Sequence, residues 1–494
     1  MSYQFRDPIH GLIDVSDKEE KLIAHPAFQR LRYIRQLGTT YLVYHGAEHT
    51  RFGHSLGVMH LVGKAMDSLW QRKCINNNYI KQPEYERLKQ IGRIVALLHD
   101  VGHGPFSHVG EESGLYPELE DIDGEKRSGH EIYTKLLIRD VFGPLIDELF
   151  SSEGITKEDI LKFFSGFIKD KKHLFVKDLI SGQLDADRMD YLLRDSHYCG
   201  VQYGKYDLPR MLDTLSICHP QNDPEREWQL GVESSGIHAV EEFIYARYWM
   251  FIQVYFHKTR RIYDHYLVNF IKDILKSEGL NAYPSDLDLY LPWIDSKIIQ
   301  LIEKQGKKNA KWAENLYRRK HIKEAFVSKP HPEEDEDEKK DELGKIAWVI
   351  EQVDNLYSEE DYHIDQSKTS SSKYLIEIPI HIEETQEDED NKLFAIPVKD
   401  KFTNIIKAIQ DYSLPVASIS GKKINILRIY AKEEIKEEML KYCNNMYEAG
   451  YTVYVREVEK KKEEVERKRR EYEEAQKQYE IEKIDHKKRK DKIK

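Results

Sequence analysis

One segment, 97–108 with the sequence LLHDVGHGPFSH, limits the fold more than any other part of the chain. The apolar residues of 87–98 before it repeat at helical spacing, which predicts a helix with one face in a core. Gly104 and Pro105 follow closely, so His99 and Asp100 stand near the end of that helix. An imidazole and a carboxylate there can reach one cation, and they suit zinc, iron, manganese, nickel or cobalt better than calcium. Alone, the pair is more typical of a surface pair or a helix cap than of a metal site.

The first two thirds of the chain are predicted to be mainly α-helical. Apolar residues repeat at helical spacing in AFQRLRYIRQLG (27–38), in LGVMHLVGKAMDSLW (56–70) and in an aromatic-rich run at 238–275. The aromatic residues of the last run are interpreted as core. We therefore expect a helical catalytic body over 1–325.

After about residue 325, the sequence pattern changes from helical repeats to a mixture of charged, alternating and helical segments. An acidic stretch with two prolines predicts a linker or insertion at 326–342. Alternating patterns at 373–384 and 424–432 predict strands, and 401–412 and 433–450 predict helices. These elements indicate a smaller α+β domain at 343–455. The tail, 456–494, carries 16 basic and 12 acidic side chains without sustained heptads, which favours a charged helix over a long coiled coil.

The composition narrows the function classes. A net charge of −11 argues against wholesale nucleic-acid binding by the folded body, although the tail leaves room for weak contact with nucleic acid or protein. The four cysteines are far apart and form no CxxC pair, which fits a reducing cytoplasm. The sequence has neither a signal-peptide pattern at its start nor a run of about 18 apolar residues, so we expect no membrane association.

Two more segments carry residues that can complete a metal site. RFGHSLGV contributes Arg51 and His54, and LDADRMDYLLRD contributes Asp187 on a predicted helix. Together with His99 and Asp100, these residues form a four-ligand set that leaves coordination positions open, as catalytic metal sites do. The nearby basic and acidic side chains can neutralise phosphate charge or transfer a proton. They are Arg51, Arg188, His103, His108, Glu111 and His130.

In their combined order, these segments resemble the HD-domain superfamily of metal-dependent phosphohydrolases, and within it the dNTP triphosphohydrolase branch. The resemblance extends over roughly 5–270, without a sterile alpha motif before it. It is carried by DPIHGLIDV, FQRLRYIRQLG, RFGHSLGV, HDVGHGPFSH, DADRMDY and YARYWMFIQVYFHK. It implies a compact helical fold and hydrolysis of a dNTP to deoxynucleoside and triphosphate by attack at the α-phosphorus.

The resemblance also implies residue roles. His54, His99, Asp100 and Asp187 match the metal ligands, and the cofactor would be a divalent transition metal (Mn, Fe, Zn, Ni or Co), with Mg on the nucleotide phosphates. The residues that match catalytic positions are His103, His108, Glu111 and His130. The residues that match phosphate-binding positions are Arg51, Arg188, Tyr191 and Arg247. Arg188 replaces a lysine, which keeps the charge but changes its geometry.

The remaining matches concern the sugar and the base. Gln36, Leu37 and Asp195 match the sugar pocket, where Gln36 and Asp195 would hold the 3′-hydroxyl. Tyr191 would crowd a 2′-hydroxyl, which favours deoxyribose over ribose. Tyr255 matches a residue on the base side.

Activation is a separate expectation. Members of the branch are often tetramers activated by a nucleotide, so a homo-oligomer, dimer or tetramer, is implied. Gln29 and Arg32 match part of the activator site, but the aspartate that reads guanine is replaced by Ala24. Guanine-specific activation is therefore not expected, whereas activation by a dNTP, or no activation, stays open.

Two other functions compete with dNTP hydrolysis. An HD phosphohydrolase could act on another phosphate ester, such as a signalling nucleotide, a nucleoside monophosphate or a single-stranded DNA end. Gln36, Tyr191 and Asp195 favour dNTPs over these. A regulatory protein on an inactive HD scaffold predicts a missing ligand, and all four ligand positions are filled.

Overall fold

The computed structural model describes residues 2–75, 80–121, 124–218, 228–308, 310–331, 342–368, 396–420, 424–447 and 467. It confirms a mainly α-helical chain with small sheets. The described residues fall into two compact units. Unit 1 comprises Met1–His321 and Thr369–Lys423, and unit 2 comprises Ile322–Lys368 and Ile424–Lys494.

Unit 1 begins with an antiparallel hairpin of β1 (Ser2–Asp7) and β2 (Gly11–Ser16). Ser16 and Glu19 form a capping box that starts the first helix. The helices of unit 1 are α1 (Asp17–Ala24), α2 (Pro26–Gln29), α3 (Arg51–Gln71), α4 (Gln82–Leu98), α5 (His130–Leu137), α6 (Gly143–Phe150), α7 (Lys157–Ser165), α8 (Leu174–Ser181), α9 (Ala186–Cys199), α10 (Leu208–Thr214), α11 (Ile237–Met250), α12 (Lys258–Ser277), α13 (Leu287–Tyr290), α14 (Asp295–Gly306), α15 (Lys311–Tyr317) and α17 (Leu414–Ile419).

Helix α3 is the centre of this unit and packs against α4 and α9. Its sequence is apolar on most of its circumference, so most of its residues are buried. Where it crosses α9, Gly57 leaves no space for a side chain, because a Cβ there would collide with Asp190 and Arg194. This close approach positions the ligand residues of α3 and α9 opposite each other.

Unit 1 also contains small sheets. The residues Leu119–Glu120 (β3) and Lys126–Arg127 (β4) form a short hairpin. A four-stranded sheet has the order β10-β9-β6-β5, in which β6 and β9 are parallel and the other neighbours are antiparallel. Its strands are β5 (Leu215–Cys218), β6 (Gln229–Glu233), β9 (Pro397–Lys399) and β10 (Ile406–Ala408).

Unit 2 is an α+β unit with its own apolar core. Its antiparallel sheet has the order β7-β11-β8, and the helices α16 and α18 contribute residues to the same core. Its elements are β7 (Lys323–Val327), α16 (Glu342–Leu356), β8 (Tyr362–Lys368), β11 (Asn425–Ala431) and α18 (436–447).

The structure divides the C-terminal part differently from the predicted boundaries. The predicted linker at 326–342 begins inside β7, and the predicted domain at 343–455 is interrupted because 396–420 belongs to unit 1. The cause is the parallel pairing of β9 with β6, a long-range contact that no local pattern reports.

Several local predictions can be compared with the structure. The strand at 424–432 is confirmed as β11, and helix 433–450 is confirmed over 436–447. The prediction of a helix at 401–412 is wrong, since β10 and a 3₁₀ turn occupy the second half of this range. The helix at 27–38 ends early, in a 3₁₀ turn at Arg30–Tyr33. The strand at 373–384 and the tail at 456–494, except residue 467, lie outside the described residues.

Candidate active site

Three separate segments bring the four predicted metal ligands together. His54 lies in the first turn of α3, His99 and Asp100 follow α4, and Asp187 lies in the first turn of α9. The Nε2 atom of His54 lies 2.9 Å from Oδ1 of Asp187 and 3.6 Å from Oδ2 of Asp100. The Nε2 atom of His99 lies 3.3 Å from Oδ1 of Asp100 and 3.7 Å from Oδ1 of Asp187. Two imidazole nitrogens and two carboxylates therefore face one another.

The two imidazole rings are held by their other nitrogen. Nδ1 of His54 lies 2.8 Å from Oδ2 of Asp190, and Nδ1 of His99 lies 2.7 Å from the Ala96 carbonyl oxygen. Both Nε2 atoms are buried, and the polar atoms that they face are the carboxylate oxygens of Asp100 and Asp187. Protein metal sites commonly have this arrangement, in which an outer acceptor fixes the ring and leaves Nε2 for the metal. The residues present therefore fit a divalent cation.

The charges of the site favour a cation as well. Burial lowers the pKa of His54, but the carboxylates of Asp187 and Asp190 outweigh burial and raise that pKa to about 10. Burial raises the pKa of Asp100, but Arg51, His99 and His103 outweigh it and hold that pKa well below its usual range. A region that stabilises a proton on a buried imidazole also stabilises a metal ion.

Asp190 connects His54 to a buried network at the N-terminus. Its carboxylate pairs with His10 at 2.7 Å and with the Arg194 guanidinium at 2.8 and 2.9 Å. Arg194 also donates to Asp7 at 2.9 Å. No role was predicted for these residues from the sequence. Two sequence features could have indicated the network: the matched segment DPIHG, which contains Asp7 and His10, and the i,i+4 spacing of Asp190 and Arg194.

A second cluster surrounds the carboxylate of Glu111. One oxygen pairs with His130 and lies 3.6 Å from Nδ1 of His103, and the other lies 2.8 Å from Nδ1 of His108. The rings of His103 and His130 stack with centroids 3.6 Å apart. His103 is fully buried, whereas the side chain of His108 is 56% exposed. The predicted catalytic residues therefore form one cluster, with His108 at its open side.

The two clusters are adjacent, and the two stacked imidazoles of the second cluster differ in the direction in which their pKa is shifted. Nε2 of His103 lies 3.4 Å from Oδ1 of the ligand Asp100. Burial and the charges of Arg51 and His130 keep the pKa of His103 well below its usual value. Burial also lowers the pKa of His130, but Glu111 outweighs it and raises that pKa. The stacked pair therefore combines a neutral imidazole with one that retains its proton more easily.

The backbone between His99 and Gly104 is held by buried side chains. Thr134 Oγ1 donates to the His99 carbonyl at 3.1 Å and accepts from Gly102 N–H at 3.0 Å. The Tyr290 hydroxyl donates to the Gly102 carbonyl at 2.7 Å, and the Gly104 N–H donates to the Tyr116 hydroxyl at 2.8 Å. A buried loop needs such partners for its polar backbone groups. Gly102 lies so close to α5 that a Cβ would collide with its backbone.

Arg51 lies between the predicted metal ligands and the loop that contains Phe106 and Ser107. It pairs with Asp100, and its Nε donates to Ser107 Oγ at 2.8 Å. Phe106 and Ser107 both have a φ of 58°, a conformation that costs energy in residues with a side chain. Asp295 stabilises this turn by accepting from the Phe106 N–H at 2.7 Å. The buried guanidinium is thereby fixed beside the candidate metal centre.

The predicted sugar and base residues form a third group. Gln36 and Leu37 are buried, and Asp195 accepts a hydrogen bond from the Tyr255 hydroxyl at 2.8 Å. The rings of Tyr255 and Tyr191 lie 6.1 Å apart. The other oxygen of Asp195 lies 2.7 Å from Nε2 of His49. No role was predicted for His49 from the sequence.

Two of the predicted phosphate-binding residues contact the segment immediately before α9. Arg188 pairs with Asp185 and donates to the Gly182 carbonyl. Arg247 is buried and donates to Gln183 Oε1 at 3.3 Å. Both guanidinium groups thus contact 182–185, immediately before the ligand Asp187.

The predicted activator residues form a separate pair. Arg32 donates to Gln29 Oε1 at 2.8 Å, and its guanidinium lies 3.5 Å from the centre of the Phe52 ring. Arg32 and Ala24 are exposed. No helix among the described residues is both long and apolar enough to cross a membrane.

Comparisons with known proteins find HD-domain proteins that are similar to this chain. The HD domain family matches residues 51–195, and the HD associated region matches 215–355. An uncharacterized protein of Bacillus subtilis, YwfO, is 38% identical over 265 residues, which cover 52% of each chain. A Dictyostelium discoideum protein named deoxynucleoside triphosphate triphosphohydrolase SAMHD1 homolog is 32% identical, over 51% of this chain and 46% of the relative.

A solved structure of a hypothetical protein from Aquifex aeolicus has a TM-score of 0.67 and 28% identity, and the match covers 89% of this chain and 99% of that one. The chain spans about half the length of the curated relatives it matches. The matched HD region, 51–195, contains all four predicted metal ligands. The chain therefore contains an HD domain at 51–195, followed by an HD associated region at 215–355.

Proposed function

We propose that this protein hydrolyses deoxynucleoside triphosphates to deoxynucleoside and inorganic triphosphate, with a divalent transition metal at the four-ligand site. The observation that carries the proposal is the convergence of the buried Nε2 atoms of His54 and His99 with the carboxylate oxygens of Asp100 and Asp187. A relative with 32% identity bears the name of this activity. The group formed by Gln36, Tyr191, Asp195 and Tyr255 supports a nucleoside substrate over a simple phosphate ester.

The chemistry divides between the metal and the protein. When bound, a metal of this class supplies a Lewis acid and lowers the pKa of water, so that a nucleophile is available at neutral pH. Arg51 is buried and held in place by Ser107, so its charge is fixed where negative charge would develop on phosphate oxygens. Magnesium would accompany the other phosphates of the substrate.

Proton transfer is assigned to the Glu111 cluster. Breakage of the bond between the α-phosphorus and the 5′ oxygen leaves an alkoxide that needs a proton. His108 is the exposed imidazole of the cluster, and its Nδ1 is fixed by Glu111, so its Nε2 is free to donate to that oxygen. The His108 side chain is 56% exposed, so the donated proton can be replaced from water.

Product analysis tests the proposal. Purified protein would be incubated with each dNTP and Mn²⁺, with and without a second nucleotide, and the products would be separated by ion-exchange chromatography. Deoxynucleoside plus triphosphate is the expected result, and Asp187→Asn should abolish it. Turnover of only nucleoside monophosphates, signalling nucleotides or single-stranded DNA on the same metal centre would contradict the proposal.

The assembly remains a prediction. A homo-oligomer, an activator at Gln29 and Arg32, and contacts of the tail with nucleic acid or protein follow from the sequence resemblance and composition. Dependence of the rate on the second nucleotide in the same assay would support the activator site, and an unchanged rate would contradict it. Sedimentation of the full chain with and without nucleotide measures the oligomeric state.

A further inference from the structure

The environment of Asp195 contains a histidine that neither the sequence resemblance nor the metal chemistry uses. His49 is buried, and its Nε2 lies 2.7 Å from Oδ1 of Asp195. Its ring stacks on Tyr198 with centroids 4.6 Å apart and an angle of 15° between the planes. The imidazole is therefore fixed both in its plane and along its hydrogen bond.

His49 is also connected to Gln36 through the backbone. The Gln36 N–H donates to the His49 carbonyl at 3.0 Å, next to the isolated bridge between Arg35 and Thr50. A displacement of either residue would thus move the other. His49 therefore links the two residues that the sequence resemblance places at the 3′-hydroxyl, Gln36 and Asp195.

Two buried polar atoms of this group have no hydrogen-bond partner among the described residues. They are Oε1 of Gln36 and Nδ1 of His49. Because Nε2 of His49 faces a carboxylate, the neutral ring carries its proton there and Nδ1 is an acceptor. Two buried acceptors without a donor carry a free-energy cost that a bound hydroxyl can relieve.

The carboxylate of Asp195 can accept further hydrogen bonds. Oδ1 is engaged by His49 and Oδ2 by the Tyr255 hydroxyl. A carboxylate can accept about four hydrogen bonds through its lone pairs. His49 and Tyr255 use one each, so roughly two remain for a ligand. His49 and Tyr255 thus hold the carboxylate from two sides and leave it able to accept from a sugar hydroxyl.

We infer that His49 is a specificity-determining positioning residue, which holds Asp195 and Gln36 so that they receive the 3′-hydroxyl of the deoxyribose. The inference rests on the proposed function, because it concerns how that substrate is recognised. It predicts that a substrate without a 3′-hydroxyl gains nothing from His49. The loss caused by a substitution should therefore depend on the substrate.

The test compares dATP with 2′,3′-dideoxyATP in wild-type protein and in His49→Asn, His49→Gln and His45→Asn. In His49→Gln, the side-chain amide nitrogen takes the position of Nε2 and can still donate to Asp195, whereas the shorter Asn side chain cannot reach. His45 is exposed on the same segment and serves as the matched control. All rates are taken as kcat/KM on metal-loaded protein.

We expect His49→Asn to lower kcat/KM for dATP by about tenfold to a hundredfold and to change the value for dideoxyATP by less than about twofold. His49→Gln should keep most of the discrimination, and His45→Asn should match wild type. Tyr198→Leu leaves the imidazole in place but removes its stacking partner, so an intermediate loss is expected. This variant tests the inference if His49→Asn does not fold.

The outcomes separate the inference from the proposed function. Equal losses on both nucleotides would assign His49 a purely structural role and overturn the inference while dNTP hydrolysis stands. Equal wild-type rates on dATP and dideoxyATP would also overturn it, because the 3′-hydroxyl would then not be read. Absence of dATP turnover in wild type would overturn both.

Discussion

The two histidine clusters of the site differ in the ratio of imidazoles to carboxylates. In the candidate metal site, His54 and His99 face Asp100 and Asp187, and a third carboxylate, Asp190, lies behind His54. In the neighbouring cluster, three imidazoles share the single carboxylate of Glu111. Several carboxylates close together favour a bound cation, whereas a cluster with more imidazoles than carboxylates holds several groups that can exchange protons near neutral pH.

The largest expected effect comes from removing ligands at the carboxylate-rich cluster. His99→Ala combined with Asp100→Ala should abolish metal binding and reduce hydrolysis by more than about a thousandfold, since both the Lewis acid and the activated water are lost. Metal content by mass spectrometry and the product assay check this. His238 and Glu241, a pair 2.8 Å apart outside the candidate site, supply the control, His238→Ala with Glu241→Ala. Hydrolysis by the metal-free double variant would contradict the metal assignment.

The imidazole-rich cluster should respond differently. Glu111→Gln should lower kcat by about a hundredfold to a thousandfold, because the carboxylate orients three imidazoles and general acid–base catalysis contributes about that much. Metal content should stay at the wild-type level, which distinguishes this cluster from the metal centre. Glu241→Gln is the matched control, because Glu241 has the same i,i+3 contact of 2.8 Å with His238. Loss of metal in Glu111→Gln would show that the two clusters form one site.

The residues behind the metal ligands should give a smaller effect on metal affinity. Asp190→Asn removes the charge next to Nδ1 of His54, and substitutions of such outer residues cost about tenfold to a hundredfold in metal affinity. Titration of the metal-free protein with Co²⁺, followed by its absorption spectrum, measures this. High metal concentration should restore much of the hydrolysis.

Breaking a buried ion pair also destabilises a protein, so Asp190→Asn needs its own control. Glu19→Gln breaks a buried carboxylate–guanidinium pair of 2.7 Å with Arg93, which involves no predicted site residue. Equal metal affinity in Asp190→Asn and Glu19→Gln would mean that Asp190 contributes stability only.

The sequence singled out the residues that the structure brings together in the candidate metal site, because each is part of a local pattern. His54, His99 and Asp187 lie at helix ends, where periodicity locates them, and the matched segments supply their order. His49 and His10 were missed for the opposite reason. Each acts through a partner more than a hundred residues away in sequence, Asp195 or Asp190, and a single sequence gives no sign of such contacts.

The same distinction applies to the fold. The helices α3, α4 and α9 follow from their own apolar repeats. The strands β9 and β10 do not, because β9 pairs with β6, which precedes it by a long stretch of chain, and β10 pairs with β9. Residues 401–412 look helical in isolation, and pairing with the sheet of unit 1 overrides that propensity.

The smallest expected effect concerns the loop that joins the two clusters. The Tyr290 hydroxyl donates to the Gly102 carbonyl between Asp100 and His103, so Tyr290→Phe leaves that buried carbonyl without this partner while the ring packing stays. We expect kcat to fall by about tenfold with KM nearly unchanged, since each tenfold corresponds to about 1.4 kcal/mol and one buried hydrogen bond is worth about that. Tyr283 lies against Tyr290, and its own hydroxyl has no hydrogen-bond partner among the described residues. Tyr283→Phe should therefore leave kcat unchanged, and equal kinetics of the two variants would show that the loop does not need the Tyr290 hydroxyl to align the clusters.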